Sequence, residues 1–215
     1  MGRNEYDQLL NRFLALCARL GLRNGLGVFE DLFSRYTGAD RHYHDITHIV
    51  ASLRELDGVR ELARDADAIE LAIWFHDCVY DATRMDNEEQ SAQIARGALS
   101  EMGAKPELIE TVCALIMATQ HTKPPGTEDE ELLTDIDLAP LGASEDVFET
   151  NGQLIRREYG HLDEQSYTRG RSAILRGFLS RPRIFYTENF SRRFERQARA
   201  NLTRAVDGTH SAVRA

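Results

Sequence analysis

The sequence has no long apolar run. Its most hydrophobic stretch, Leu71-Ala72-Ile73-Trp74-Phe75, falls far short of the roughly 20 residues that a membrane-spanning helix needs. The opening residues, Met1-Gly2-Arg3-Asn4-Glu5, lead into a charged amphipathic stretch without the apolar core of a signal peptide. Tyr6 stands where a myristoylation signal would carry Ser or Thr. Cysteine is scarce: Cys17, Cys78 and Cys113 are widely spaced, odd in number and set in apolar contexts. That excludes a disulfide framework and a paired-cysteine zinc site, and fits reduced core residues of a cytoplasmic protein. A Gly-rich phosphate loop, a nucleophile elbow, an internal repeat and a Gly/Ser linker are all missing, and no alternating apolar/polar run argues for a sheet. The expectation is one all-α domain spanning residues 1–215.

With 215 residues, 42% hydrophobic and 28% charged, the chain can bury about 70% of its unfolded surface and needs no covalent or metal staple to hold a core. Its net charge of −9 disfavours nucleic acid or an anionic membrane as the main partner. The charge is uneven: residues 151–215 hold 13 Lys/Arg against 6 Asp/Glu, and residues 1–150 hold 13 against 29. Either the helices present ordinary solvated faces, or basic C-terminal helices close over an acidic site that holds a cation and an anionic substrate.

Helical periodicity runs through most of the chain. Leu9, Leu10, Phe13, Leu14, Cys17 and Leu20 paint one stripe on a first helix, and Phe29, Leu32, Phe33 and Tyr36 another on a second. A third is expected from about His44 to Leu56. A fourth, nearly apolar all round, is expected from about Ala66 to Tyr80 and should be the central buried helix. Asp86 and Asn87 are N-cap candidates, Pro106 opens a further helix, and Thr127-x-x-Glu130 reads as a capping box. Ser144 and Asp163 are cap candidates for two more, and a last helix spans about Glu188 to Val206.

The chemistry sits among the histidines. Arg41-His42-Tyr43-His44-Asp45-Ile46-Thr47-His48 gathers three of the seven, and on a helix His44 and His48 would share one face. His76-Asp77 closes the most apolar segment, where an ionisable pair is costly to bury unless something compensates it. A divalent cation would do so, pairing the carboxylate and taking the imidazole lone pair. Asp135 and Asp137 offer two more carboxylates against apolar neighbours.

A histidine, a His-Asp pair some 28 residues later and a distant aspartate, in that order on helices, resemble the HD superfamily of metal-dependent phosphohydrolases. Tyr43-His44-Asp45-x-x-His48 is similar to the Tyr-His-Asn-x-x-His motif of cyclic-nucleotide phosphodiesterases, and Ile136-Asp137-Leu138 to their Ala-Asp-Leu segment. The stretches Arg41-His42-Tyr43-His44, Phe75-His76-Asp77-x-x-Tyr80-Asp81, Asp86-Asn87-Glu88-x-x-Ser91-Ala92 and Asp135-x-Asp137-Leu138 resemble a bacterial subgroup of predicted HD phosphohydrolases over about residues 5–205.

That resemblance implies an α-helical HD fold in which His48, His76, Asp77 and Asp137 ligate one divalent ion, with Asp135 orienting a ligand histidine. Two imidazoles and two carboxylates suit Mn, Fe, Co, Ni, Mg or Zn. His44 matches the phosphodiesterase general acid, unless it is merely tied to a backbone carbonyl; Asp45, where those enzymes carry Asn, has no assigned role. Asp81 or Glu88 would be the base, or each would only cap a helix. Arg41 would bind phosphate, and His121 would contact phosphate or a second metal, or sit as a cation at a helix C-terminus. The implied activity is hydrolysis of a small phosphorylated, nucleotide-like substrate, with no nucleic-acid or membrane partner. The rival classes are a metal- or nucleotide-binding module without turnover, and a di-iron oxygenase, which needs more histidines between positions 77 and 137. Substrate, native metal and oligomeric state stay open.

Overall fold

The polypeptide is all-helical in a computed structural model that describes residues 2–212, with side chains described to residue 208. Among the described residues there are ten α-helices and two short 3-10 turns, and no strand. The helices are α1 (Arg3–Leu20), α2 (Gly25–Tyr36), α3 (Ile46–Asp57), α4 (Ala66–Phe75), α5 (Asn87–Glu101), α6 (Pro106–Ala118), α7 (Glu128–Leu138), α8 (Glu145–Glu158), α9 (Glu164–Leu179) and α10 (Glu188–Ala212). None is long and apolar enough to cross a membrane. The chain packs as two compact units, Met1–Leu133 and Thr134–Ala215, with the division falling inside α7.

In the first unit α4 is the central element, as its composition implies: every residue from Ala68 to Phe75 is buried. It packs against α1, α3, α5 and α6. Trp74 meets Phe13 and Phe29 edge-to-face, at centroid distances of 5.3 and 5.9 Å, the arrangement that ring quadrupoles favour. α4 nevertheless ends at Phe75, five residues before the expected Tyr80. His76 is its C-cap, and the chain turns there. The apolar run that feeds the helix stops at Phe75, and the polar His76-Asp77 pair lies in the turn.

One side chain in this apolar helix is a carboxylate. Glu70, only 2% exposed, accepts from Arg12 Nε at 2.8 Å and Arg60 Nη1 at 2.6 Å, with Arg19 Nη2 at 3.4 Å. Arg12 also grips Asp57 through both Nη atoms, and Arg19 and Arg60 both pair with Asp67. Three arginines thus face three carboxylates, and the buried charge is balanced without an ion. Hydrogen bonds from Arg19 hold the Asp67 carboxyl below its usual range.

In the second unit α10 packs against α9 and against the 3-10 turn Ala139–Gly142, which also meets α8. Asn201 Nδ2 donates to the carbonyls of Leu141 and Ala143, both at 2.9 Å, fastening that turn. At Gly142 the chain passes close to α10: a Cβ there would lie 2.5 Å from Phe194 Cβ and 2.9 Å from the Phe194 carbonyl oxygen. Gly142→Ala is therefore expected to cost about 2 kcal/mol through overpacking. Gly170→Ala, in α9 with open space around it, should gain about 0.5–1 kcal/mol from helix propensity. Urea midpoints of the two variants, moving in opposite directions, check this.

Candidate metal centre

The site begins with a helix cap. Asp45 Oδ1 accepts from Thr47 N at 2.8 Å, Thr47 Oγ1 at 2.6 Å and, more loosely, His48 N at 3.4 Å. This starts α3 at Ile46 and fixes the turn that carries His48. It also gives Asp45 a role that the sequence left open. His44 consequently lies two residues outside the helix, so the expected shared helical face of His44 and His48 is wrong; their rings still lie close, 6.1 Å between centroids, because the chain bends just before the cap. Asp45→Ala should remove about 1 kcal/mol of stability and weaken metal binding by loosening His48, which a denaturation curve and a metal titration would separate.

His76 comes from the end of α4, where its backbone N–H still donates to Ala72 O at 2.8 Å. Its Nδ1 lies 2.9 Å from Ile73 O. A carbonyl can only accept, so Nδ1 carries the proton, and in the neutral ring Nε2 is left with its lone pair. That lone pair looks into a polar triangle. His76 Nε2 is 3.2 Å from His48 Nε2 and 3.1 Å from Asp77 Oδ2, and the His48–Asp77 separation is 3.8 Å. The His76 lone pair and the Asp77 carboxylate oxygen, both buried, repel one another at this distance unless positive charge sits on the rings or among them. Burial would raise the Asp77 carboxyl, but the field of His76 above all, with His44 and His48, outweighs it and holds Asp77 well below the usual carboxylate range.

The donor set suits a cation. Two nitrogens each about 2.1 Å from one ion lie about 3.0–3.4 Å apart, depending on coordination geometry, and the observed 3.2 Å falls in that interval. Asp137, expected as a further carboxylate ligand, is half-buried on α7. Of the four residues expected as ligands, His48, His76 and Asp77 are brought together within the first unit. Asp135 has a structural role in its own unit. Its Oδ1 accepts from Tyr186 N at 2.8 Å, and its Oδ2 from Thr187 N at 2.7 Å and Thr187 Oγ1 at 2.6 Å. Fully buried, it anchors the chain entering α10.

The remaining candidates have visible jobs of their own. Arg41 Nη1 donates to the carbonyls of His44 at 2.9 Å and Asp77 at 2.7 Å, and Nη2 to that of Cys78 at 3.1 Å; it braces the backbone around the site. Asp81 is exposed and caps a turn, its Oδ1 accepting from Thr83 N at 2.8 Å and Thr83 Oγ1 at 2.7 Å. Glu88 is half-buried in the first turn of α5. His121 follows the end of α6 with a left-handed φ of 55°, a conformation that costs a non-glycine residue about 1 kcal/mol. Burial pushes the Cys78 thiol up to about 11, so it is no thiolate nucleophile at neutral pH.

The ring of Tyr80 is the partner that sequence reasoning missed. It stacks on His44 at 3.8 Å between centroids and 23° between planes. Asn87 and Ser91, one turn apart on the buried side of α5, were a legible signal that polar side chains there serve a neighbouring backbone. Comparison of the chain with protein-family models, with curated proteins and with solved structures finds no match.

Proposed function

We propose that the chain is a metal-dependent phosphohydrolase of the HD type, acting on a small phosphorylated, nucleotide-like substrate. The observation that carries this reading is the buried triangle of His48 Nε2, His76 Nε2 and Asp77 Oδ2, with the His76 lone pair aimed inward. His48, His76, Asp77 and Asp137 would hold one divalent ion. Bound there, such an ion polarises a phosphoryl oxygen and brings the pKa of water down towards about 7.

His44 is the residue to give a proton to the leaving oxygen, a contribution of about 10²–10⁴ in rate. Asp81 is committed to its turn with Thr83, which favours Glu88 as acceptor of the proton from the attacking water. Arg41, directed at three carbonyls, serves the site as a brace rather than as the phosphate ligand. His121 stands as a candidate phosphate contact.

Protein reloaded with Mn²⁺, Co²⁺ or Ni²⁺ is expected to cleave members of a broad phosphoester and nucleotide panel, and Asp77→Asn to abolish that turnover. No cleavage of any substrate, with Asp77→Asn indistinguishable from the parent, would contradict it. The engagement of Arg41 and Asp81 in local structure supports a second reading, a metal- or nucleotide-binding module without turnover. Tight nucleotide binding with no product formed would favour that module.

A further inference from the structure

We infer that Tyr80 is a positioning residue, clamped from both sides so that its ring fixes the plane of the His44 imidazole. The backbone around it is pinned by side chains. Ser91 Oγ accepts from Val79 N at 3.0 Å and donates back to Val79 O at 3.3 Å. Asn87 Oδ1 accepts from Asp81 N at 3.0 Å, and Asn87 Nδ2 donates to Asp81 O at 3.0 Å. Two side chains of α5 thus hold both neighbours of Tyr80 by donor and acceptor alike, as an adjacent strand would.

Arg41 holds the same segment from the other direction, through the carbonyls of Asp77 and Cys78, and ties in His44 through that residue's own carbonyl. Its guanidinium also lies over the Tyr80 ring, 5.7 Å from the centroid, and over that of Tyr36 at 5.5 Å. The backbone is therefore fastened on both sides of Tyr80 and at the His44 carbonyl. A flat stack at 3.8 Å restrains rotation of the imidazole about its own bond, which no hydrogen bond to the His44 backbone can do. The consequence for catalysis rests on the reading of His44 as proton donor; the hold on the ring does not.

Two measurements keep these apart. In histidine-labelled protein without added metal, the His44 ring protons should show an upfield ring-current shift. Tyr80→Leu should abolish it and Tyr80→Phe, which keeps a ring for the stack, should restore it. In the Mn²⁺-loaded enzyme, Tyr80→Leu should lower kcat on an alkyl phosphoester about tenfold with KM unchanged, because a poor leaving group needs the donated proton. On a nitrophenyl ester, which departs without one, the loss should stay within about twofold, and His44→Gln should show the same pattern more strongly. If Tyr80→Leu does not fold, Asn87→Ala, which loosens the clamp, should give both signatures in weaker form. An unchanged His44 shift in a folded Tyr80→Leu protein would overturn the inference, as would equal losses on both esters. Should His44→Gln itself fail to separate the two esters, the proton-donor reading falls, and the shift alone decides whether Tyr80 holds the ring.

Discussion

Replacing His76 with alanine is expected to remove most of the stabilisation that a divalent cation gives this protein. In the parent, an ion present at about 1,000 times its Kd should add about 4 kcal/mol to the folded state, a rise in Tm of roughly 8 °C or more for a chain of this size. His76 contributes the nitrogen nearest both His48 and Asp77, at 3.2 and 3.1 Å, and its ring is oriented by Ile73 O. Losing a partner that merely orients a metal ligand typically costs 10–100-fold in affinity, so losing the ligand itself should exceed about 100-fold. At that loss no more than about 1.4 kcal/mol of the stabilisation would remain, so Mn²⁺ should raise the Tm of His76→Ala by at most about 3–6 °C. A parent-like rise in the variant would show that the ion binds elsewhere.

The second large effect separates two aspartates two residues apart. Asp135→Ala removes the acceptor for Tyr186 N, Thr187 N and Thr187 Oγ1, leaving donors that lie against a fully buried position without their charged partner. Hydrogen bonds to a charged group are worth about 1.5–3 kcal/mol each and orphaned buried donors add a desolvation cost, so a loss on the order of 4 kcal/mol is expected. Asp137→Ala should fold nearly as well as the parent and lose the metal-dependent stabilisation instead. Chemical denaturation with and without Mn²⁺ gives both readings from one pair of proteins. The opposite pattern would mean that the roles of the two carboxylates are exchanged.

Much of this was legible in the sequence for identifiable reasons. The all-α fold follows from the 3.6-residue periodicity of stretches such as Leu9 to Leu20, and α4 announced its burial by being apolar on all sides. The ligand candidates stood out because His76-Asp77 is an expensive pair to place at the end of such a helix. Local hydrogen bonding was harder to read. Asp45 begins α3 and excludes His44 from it, and α4 stops at Phe75 although the pattern can be extended to Tyr80. The Glu70 network needs arginines from positions 12, 19 and 60, separations that periodicity does not encode. The same holds for Arg41, whose carbonyl acceptors include residues 36 and 37 positions away.

The most direct test of the account is a crystal soaked in Mn²⁺ and measured at a wavelength where manganese scatters anomalously. The account predicts one strong peak per chain, within coordination distance of His48 Nε2, His76 Nε2, Asp77 Oδ2 and an Asp137 oxygen. Protein that binds no ion there, its two imidazoles simply hydrogen-bonded to each other at full Mn²⁺ loading, would contradict it.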